Sequence, residues 1–126
     1  MVYIIAEDGT QYIKIGRTTG AASNLFKRRD ELQVGNPRRL LPLAMIVTPG
    51  AVGQSTGSRA SDIRLETVIR DQIALKVNAE RVAGGSEWLR LPCSLARMLE
   101  EAAEIAGSND AQLQLAFDGM MAMEES

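Results

Sequence analysis

Val2-Tyr3-Ile4-Ile5, then Asp8-Gly9, then Tyr12-Ile13-Lys14-Ile15-Gly16 opens the chain with two short β-rich runs on either side of a hairpin-turn dipeptide. Both faces of the first run are apolar, so this strand is expected inside a sheet rather than at its edge. In the second run, alternation puts Tyr12, Lys14 and Gly16 on one face. A mid-strand lysine ordinarily faces solvent. A strand glycine often marks the close approach of another group.

Outward from the hairpin, Ser23 or Asn24 caps a helix to about Val34, which Gly35-Asn36-Pro37 ends. Leu40 to Val47 is a third strand, made irregular or an edge by Pro42. Pro49 to Ser61 is rich in Gly, Ser and Thr and reads as a mobile loop. A helix is expected over about Asp62 to Val77, a turn at Gly84-Gly85-Ser86 and a short strand over Glu87 to Leu91. Pro92 suits the first turn of a third helix reaching about Ala106. Gly107 to Asp110 is a break. The pattern predicts an α/β (α+β) chain in which two facing helices cover a small sheet in two layers. One domain would span residues 1–106, with a tail over 107–126.

The chain's 126 residues suffice for one modest core. There is no histidine and a single cysteine, Cys93, which excludes an internal disulfide, a Cys/His zinc site and any triad or general base built on histidine. Met1 to Asp8 lacks a basic n-region, and no run approaches the length of a membrane span. The expected location is the cytoplasm, with no membrane partner.

The net charge is −2, unevenly spread. Lys14, Arg17, Lys27, Arg28, Arg29, Arg38 and Arg39 outnumber the acids of the first 47 residues, and the remainder is acidic. A local polyanion site in the first half is one consequence, and a merely solvated asymmetry is the other. Two charges also fall on apolar helical stripes. Arg28 lies between Leu25 and Leu32 on the first helix. Glu66 precedes Ile69, Ile73 and Val77 on the second. A buried charge needs a partner, so the two form an ion pair with each other or serve a ligand. A phosphate held bidentately would satisfy the arginine.

These residues resemble the GIY-YIG nuclease superfamily, in its small phage-and-bacterial branch whose second motif reads KIG. The resemblance rests on Val2-Tyr3-Ile4, Lys14-Ile15-Gly16, Arg28 with Leu32-Gln33 and Gly35-Asn36-Pro37, Leu65-Glu66, and Glu87-Trp88-Leu89. It implies a three-stranded antiparallel sheet flanked by helices, with a single-metal phosphodiesterase site using Mg²⁺ or Mn²⁺. By position, Tyr3 matches a general base or water-orienting tyrosine, and Lys14 a residue assisting the base or the phosphate. Arg28 matches the phosphate-binding arginine and Glu66 the metal-ligating glutamate. The four are expected to converge on one concave surface. Tyr12, Arg17, Lys27, Arg29, Arg38 and Arg39 are further candidates for nucleic-acid contact, most simply with DNA. The chain departs from the branch at Leu32, where His or Tyr is common, at Arg70, where histidine is common, and at Leu89, where phenylalanine is usual.

The expectation is a metal-dependent endonuclease. The alternatives are a member that binds nucleic acid with little turnover and a regulatory interaction protein that keeps only the fold. In the tail, Gln112, Leu113, Leu115 and Phe117 resemble the peptides by which bacterial DNA enzymes dock on the sliding clamp. Leu113, Phe117 and Met120 equally fit the stripe of a helix packed on its own domain.

Overall fold

A computed structural model describes residues 1–18, 23–48, 59–82 and 85–125. The hairpin forms as its alternation requires. β1 (Val2–Glu7) pairs antiparallel with β2 (Tyr12–Arg17), from Val2 opposite Arg17 to Ala6 opposite Ile13. β3 (Leu40–Val47) pairs antiparallel along the other side of β1. β1 is therefore interior, and its side chains alternate between two cores. Val2, Ile4 and Ala6 enter one, and Tyr3 and Ile5 enter the other.

Among the described residues the sheet has six strands, not three. β4 (Glu80–Val82), β5 (Gly85–Arg90) and β6 (Gln112–Leu115) extend it to the order β4-β5-β2-β1-β3-β6, with every pairing antiparallel. β4 has only three residues, too few for a readable alternation. β6 reads Gln-Leu-Gln-Leu, with exposed glutamines and half-buried leucines. That is the pattern of a peripheral strand with one side on the core.

Pro42 lies in β3 beyond the stretch paired with β6, which runs from Ala44 to Val47. The register to β1 also jumps there, from Ile4↔Ala44 to Ile5↔Pro42, leaving Leu43 as the extra residue of a bulge. A strand tolerates a residue without an N–H in both settings. The Leu43 carbonyl, turned out of the ladder, accepts a hydrogen bond from the Ala116 amide at 2.8 Å.

α1 (Ser23–Gln33) covers one face of the sheet through Leu25, beside Tyr3, Ile5, Leu40 and Met45. α2 (Arg59–Val77) and α3 (Leu95–Ser108) cover the other through Leu65, Ile69, Ile73, Met98, Leu99, Ala102 and Ile105. The expected two layers are therefore three. α2 starts within the stretch expected as a loop, and the rest of that loop, residues 49–58, lies outside the described residues. Pro92 precedes α3 and is not in its first turn. The N-cap is Ser94, whose hydroxyl accepts the Arg97 amide at 3.2 Å.

The break at Gly107–Asp110 is the end of a helix and not a domain boundary. Beyond it β6 joins the same sheet, and α4 (Phe117–Glu124) packs on β3 and α3. Gly119 is buried, and a Cβ there would run into the Leu43 carbonyl, with the carbonyl carbon 2.9 Å away. Residues 112–124 thus complete the fold. Among the described residues no helix is long and apolar enough to cross a membrane.

Candidate functional site

The site begins where β1 and β2 start and end together. Tyr3 faces Gly16 across the ladder, and its ring lies over the glycine. A Cβ on residue 16 would stand 2.5 Å from the ring carbon that bears the hydroxyl. The strand glycine is therefore a berth for an aromatic ring. Tyr3 is buried, and its hydroxyl accepts a hydrogen bond from Arg28 Nε at 3.4 Å. Burial pushes the Tyr3 pKa above its ordinary value, more than the bond and charge of Arg28 lower it, and the charges of Glu87 and Glu66 raise it further. The hydroxyl keeps its proton at neutral pH.

Arg28 takes its place because Leu25, one turn earlier, is buried and pins that side of α1 to the sheet. Its own side chain is 39% exposed, so it reaches the Tyr3 hydroxyl while keeping a water-facing side. It also donates to Glu31 at 3.1 Å. Bonds to Tyr3 and Glu31 hold the guanidinium firmly charged. Thr18, Asn24, Lys27, Arg28 and Glu31 line a depression of about 140 Å³ beside it.

Lys14 lies on the same sheet face, opposite Trp88 on β5. It is not the solvent-facing lysine that its mid-strand position allows, being 8% exposed. Its ammonium lies 2.6 Å from Glu87 Oε2 and 5.6 Å from the centre of the Trp88 ring. Charge pairing and the ring's π-face together make this burial tolerable.

Glu66 arrives from the other side. It is 6% exposed on α2, among the apolar residues that pack beneath the sheet. The Arg70 guanidinium, one turn on, donates to Glu66 Oε1, and also to the Ile15 carbonyl at 3.1 Å. Arg17 Nε lies 3.2 Å from Glu66 Oε2. The arrangement has a topological cause. The pairing of β2 with β5 stops at Lys14↔Trp88, so among the described residues Ile15, Gly16 and Arg17 have only β1 as a strand neighbour. Arg70 takes up the Ile15 carbonyl along that open flank.

Arg28 and Glu66 do not pair with each other. Arg28 bonds Tyr3 and Glu31, while Glu66 bonds Arg17 and Arg70. The expectation of one shared surface is corrected too. Tyr3, Lys14 and Arg28 stand on the α1 face, and Glu66 comes from the α2 face. They approach one another around the open end of β2, where the Glu66 charge is felt by the Tyr3 hydroxyl.

The remaining basic candidates divide. Arg17 and Lys27 belong to this end of the hairpin. Arg38 pairs with Glu7 at 3.4 Å, and the Arg39 carbonyl accepts the Asp8 amide at 2.8 Å. With Tyr12 they lie at the far end of β1, roughly 17 Å away for a six-residue strand. Arg29 pairs with Asp30 at 2.7 Å. Gln33 proves structural: its amide donates to the Asn36 and Arg38 carbonyls at 3.2 and 2.7 Å and accepts the Leu40 amide at 2.8 Å. It ties the Gly35-Asn36-Pro37 turn between α1 and β3.

Sequence reasoning assigned no role to Glu87 or Arg70. Arg70 had a local signal, a charge one turn from Glu66, whereas Glu87 reaches Lys14 from a strand more than seventy residues later and had none. Compared with protein-family models, curated proteins and solved structures, the chain matches none. For a metal ion, no cluster of three or more His, Cys, Asp or Glu exists among the described residues. Glu66 alone still offers the oxygen donor that a hard cation prefers, and Mg²⁺ keeps most of its waters at such sites. Oε1 is committed to buried Arg70. Among the described residues Oε2 is held by Arg17, whose side chain is 36% exposed. The donor set fits one divalent cation on Oε2, provided Arg17 moves away.

Proposed function

We propose that the chain is a GIY-YIG-type endonuclease that hydrolyses a nucleic-acid phosphodiester, most simply in DNA. The observation that carries this reading is the buried Tyr3 hydroxyl held against Arg28 over Gly16, within the field of Glu66. A buried phenol beside a half-exposed guanidinium suits a phosphate oxygen and an attacking water better than it suits a core. Arg28 would hold a non-bridging oxygen, and Lys27 in the adjoining depression would hold a neighbouring phosphate. Tyr3, protonated at neutral pH, would orient the water rather than take its proton. Lys14, fixed by Glu87 and Trp88, would add positive charge beside the reacting group. Glu66 would hold Mg²⁺ or Mn²⁺, which when bound stabilises charge on the phosphate and the leaving oxygen. Water attack at phosphorus breaks one P–O bond and leaves a phosphomonoester end and a hydroxyl end.

A second reading, binding without turnover, is favoured by the engagement of both Glu66 oxygens with guanidinium groups. One experiment separates the two. Labelled plasmid and oligonucleotide DNA are incubated with the protein and Mg²⁺ or Mn²⁺, beside Glu66→Ala. Cleavage lost in the variant supports the nuclease. Retention of DNA without cleavage supports the binding module. The absence of both cleavage and retention would remove the nucleic-acid role.

A further inference from the structure

We propose that Arg17 is a displaceable latch on Glu66. It holds the carboxylate while the site is empty of phosphate, then exchanges it for a phosphate of the nucleic acid and leaves Oε2 to a divalent cation. This deepens the nuclease reading and rests on it.

The two guanidinium groups on Glu66 are not equivalent. Arg70 is 9% exposed and donates to both Glu66 Oε1 and the Ile15 carbonyl. Removing it would strand a buried carboxylate and a strand carbonyl together. Arg17 meets Oε2 through one Nε contact at 3.2 Å and is 36% exposed. It is the last residue of β2, on the flank that β5 does not reach. A half-exposed single contact is a weak bond that a better anion can take over. A phosphodiester approaching Arg28 is such an anion, and Gly16, next to Arg17, lies directly under the Tyr3 hydroxyl that Arg28 contacts.

The charges make the exchange cooperative. With Arg17 on Glu66, a dication would meet two guanidinium groups around one carboxylate. With Arg17 on phosphate, Oε2 is open and a second anion stands close by. Phosphate and cation therefore each favour the other's binding, as linkage requires. An ion held more weakly until phosphate arrives also lowers the metal loading of the free protein.

The test uses Mn²⁺ alone, with no nucleic acid, and reads free Mn²⁺ by electron paramagnetic resonance. Wild type, Arg17→Gln, Arg17→Lys, Glu66→Gln and the Arg17→Gln/Glu66→Gln double variant are titrated, each checked for folding by circular dichroism. Arg17→Gln should bind Mn²⁺ about fivefold tighter than wild type, the factor that corresponds to one half-exposed ion pair. Arg17→Lys, which keeps the charge, should stay within about twofold of wild type, and the double variant should bind no better than Glu66→Gln. If Arg17→Gln binds no tighter while wild-type binding depends on Glu66, the latch is overturned and the cation site stands. If neither wild type nor Arg17→Gln binds Mn²⁺, the cation site falls and the latch falls with it.

Discussion

The Tyr3 ring lies across Gly16 on the neighbouring strand, with no room for a Cβ between them. Gly16→Ala should therefore displace the ring and its hydroxyl together, at a cost of about 1–3 kcal/mol in urea unfolding. The cost should shrink in a Tyr3→Leu background, where the ring end is gone. Full additivity of the two substitutions would mean that ring and glycine do not compete for that space.

Burial raises the Tyr3 pKa, and this fixes the sign of an alkaline effect. Below tyrosine's ordinary value, about 10, the phenol is neutral folded and unfolded and contributes no pH dependence. Above it the unfolded chain releases the proton first, so stability falls as pH rises through the folded pKa. Denaturant midpoints should slope downward in that window for wild type and less for Tyr3→Phe. Equal slopes would place the alkaline sensitivity elsewhere.

Arg28 is a half-exposed side chain on a helix anchored by Leu25. Arg28→Ala should leave the unfolding midpoint within about 1 kcal/mol of wild type. It should lower DNA cleavage on the order of a hundredfold or more, the usual cost of losing a positioned charge at a reacting phosphate. A variant that unfolds as readily as it loses activity would make Arg28 a structural residue.

The basic side chains are split between the two ends of β1, so a nucleic acid at the Tyr3 end meets few of them. Log affinity against log salt should have a slope on the order of −2 to −4. Lys27→Ala should flatten it by about one. Arg38→Ala/Arg39→Ala should leave it unchanged, and a flattening there in filter binding would mean that the strand crosses the whole sheet.

The C-terminal segment divides cleanly by burial. Leu115 packs on the core from β6, whereas Phe117 is 68% exposed on α4. Leu115→Ala should cost about 2 kcal/mol and Phe117→Ala less than about 0.5 kcal/mol. Docking of Gln112, Leu113, Leu115 and Phe117 on a sliding clamp would require β6 to leave β3. A clamp pull-down that retains wild type but not Leu115→Ala/Phe117→Ala, with both proteins folded, would establish that it does.

The hairpin, the interior position of β1, the third strand and helices α1, α2 and α3 over most of their length were legible in the sequence. Period-2 and period-3.6 patterns and turn residues are local signals, and they sufficed there. The sequence also singled out Arg28 and Glu66 as charges on apolar stripes, while Tyr3 and Lys14 became site candidates only through the family resemblance. Tertiary structure alone decided which of them meet. Gly16 is the berth of Tyr3 because strand register sets those two residues opposite each other. Arg17 and Arg70 reach Glu66 because β5 stops pairing at Lys14 and leaves the flank of β2 open. β4 was too short to show a period. β6 carried an alternation whose partner lies over sixty residues earlier, at Ala44 to Val47. A charge on an apolar stripe announces that it needs a partner; only the folded chain, by bringing distant segments within a few ångströms, chooses which one.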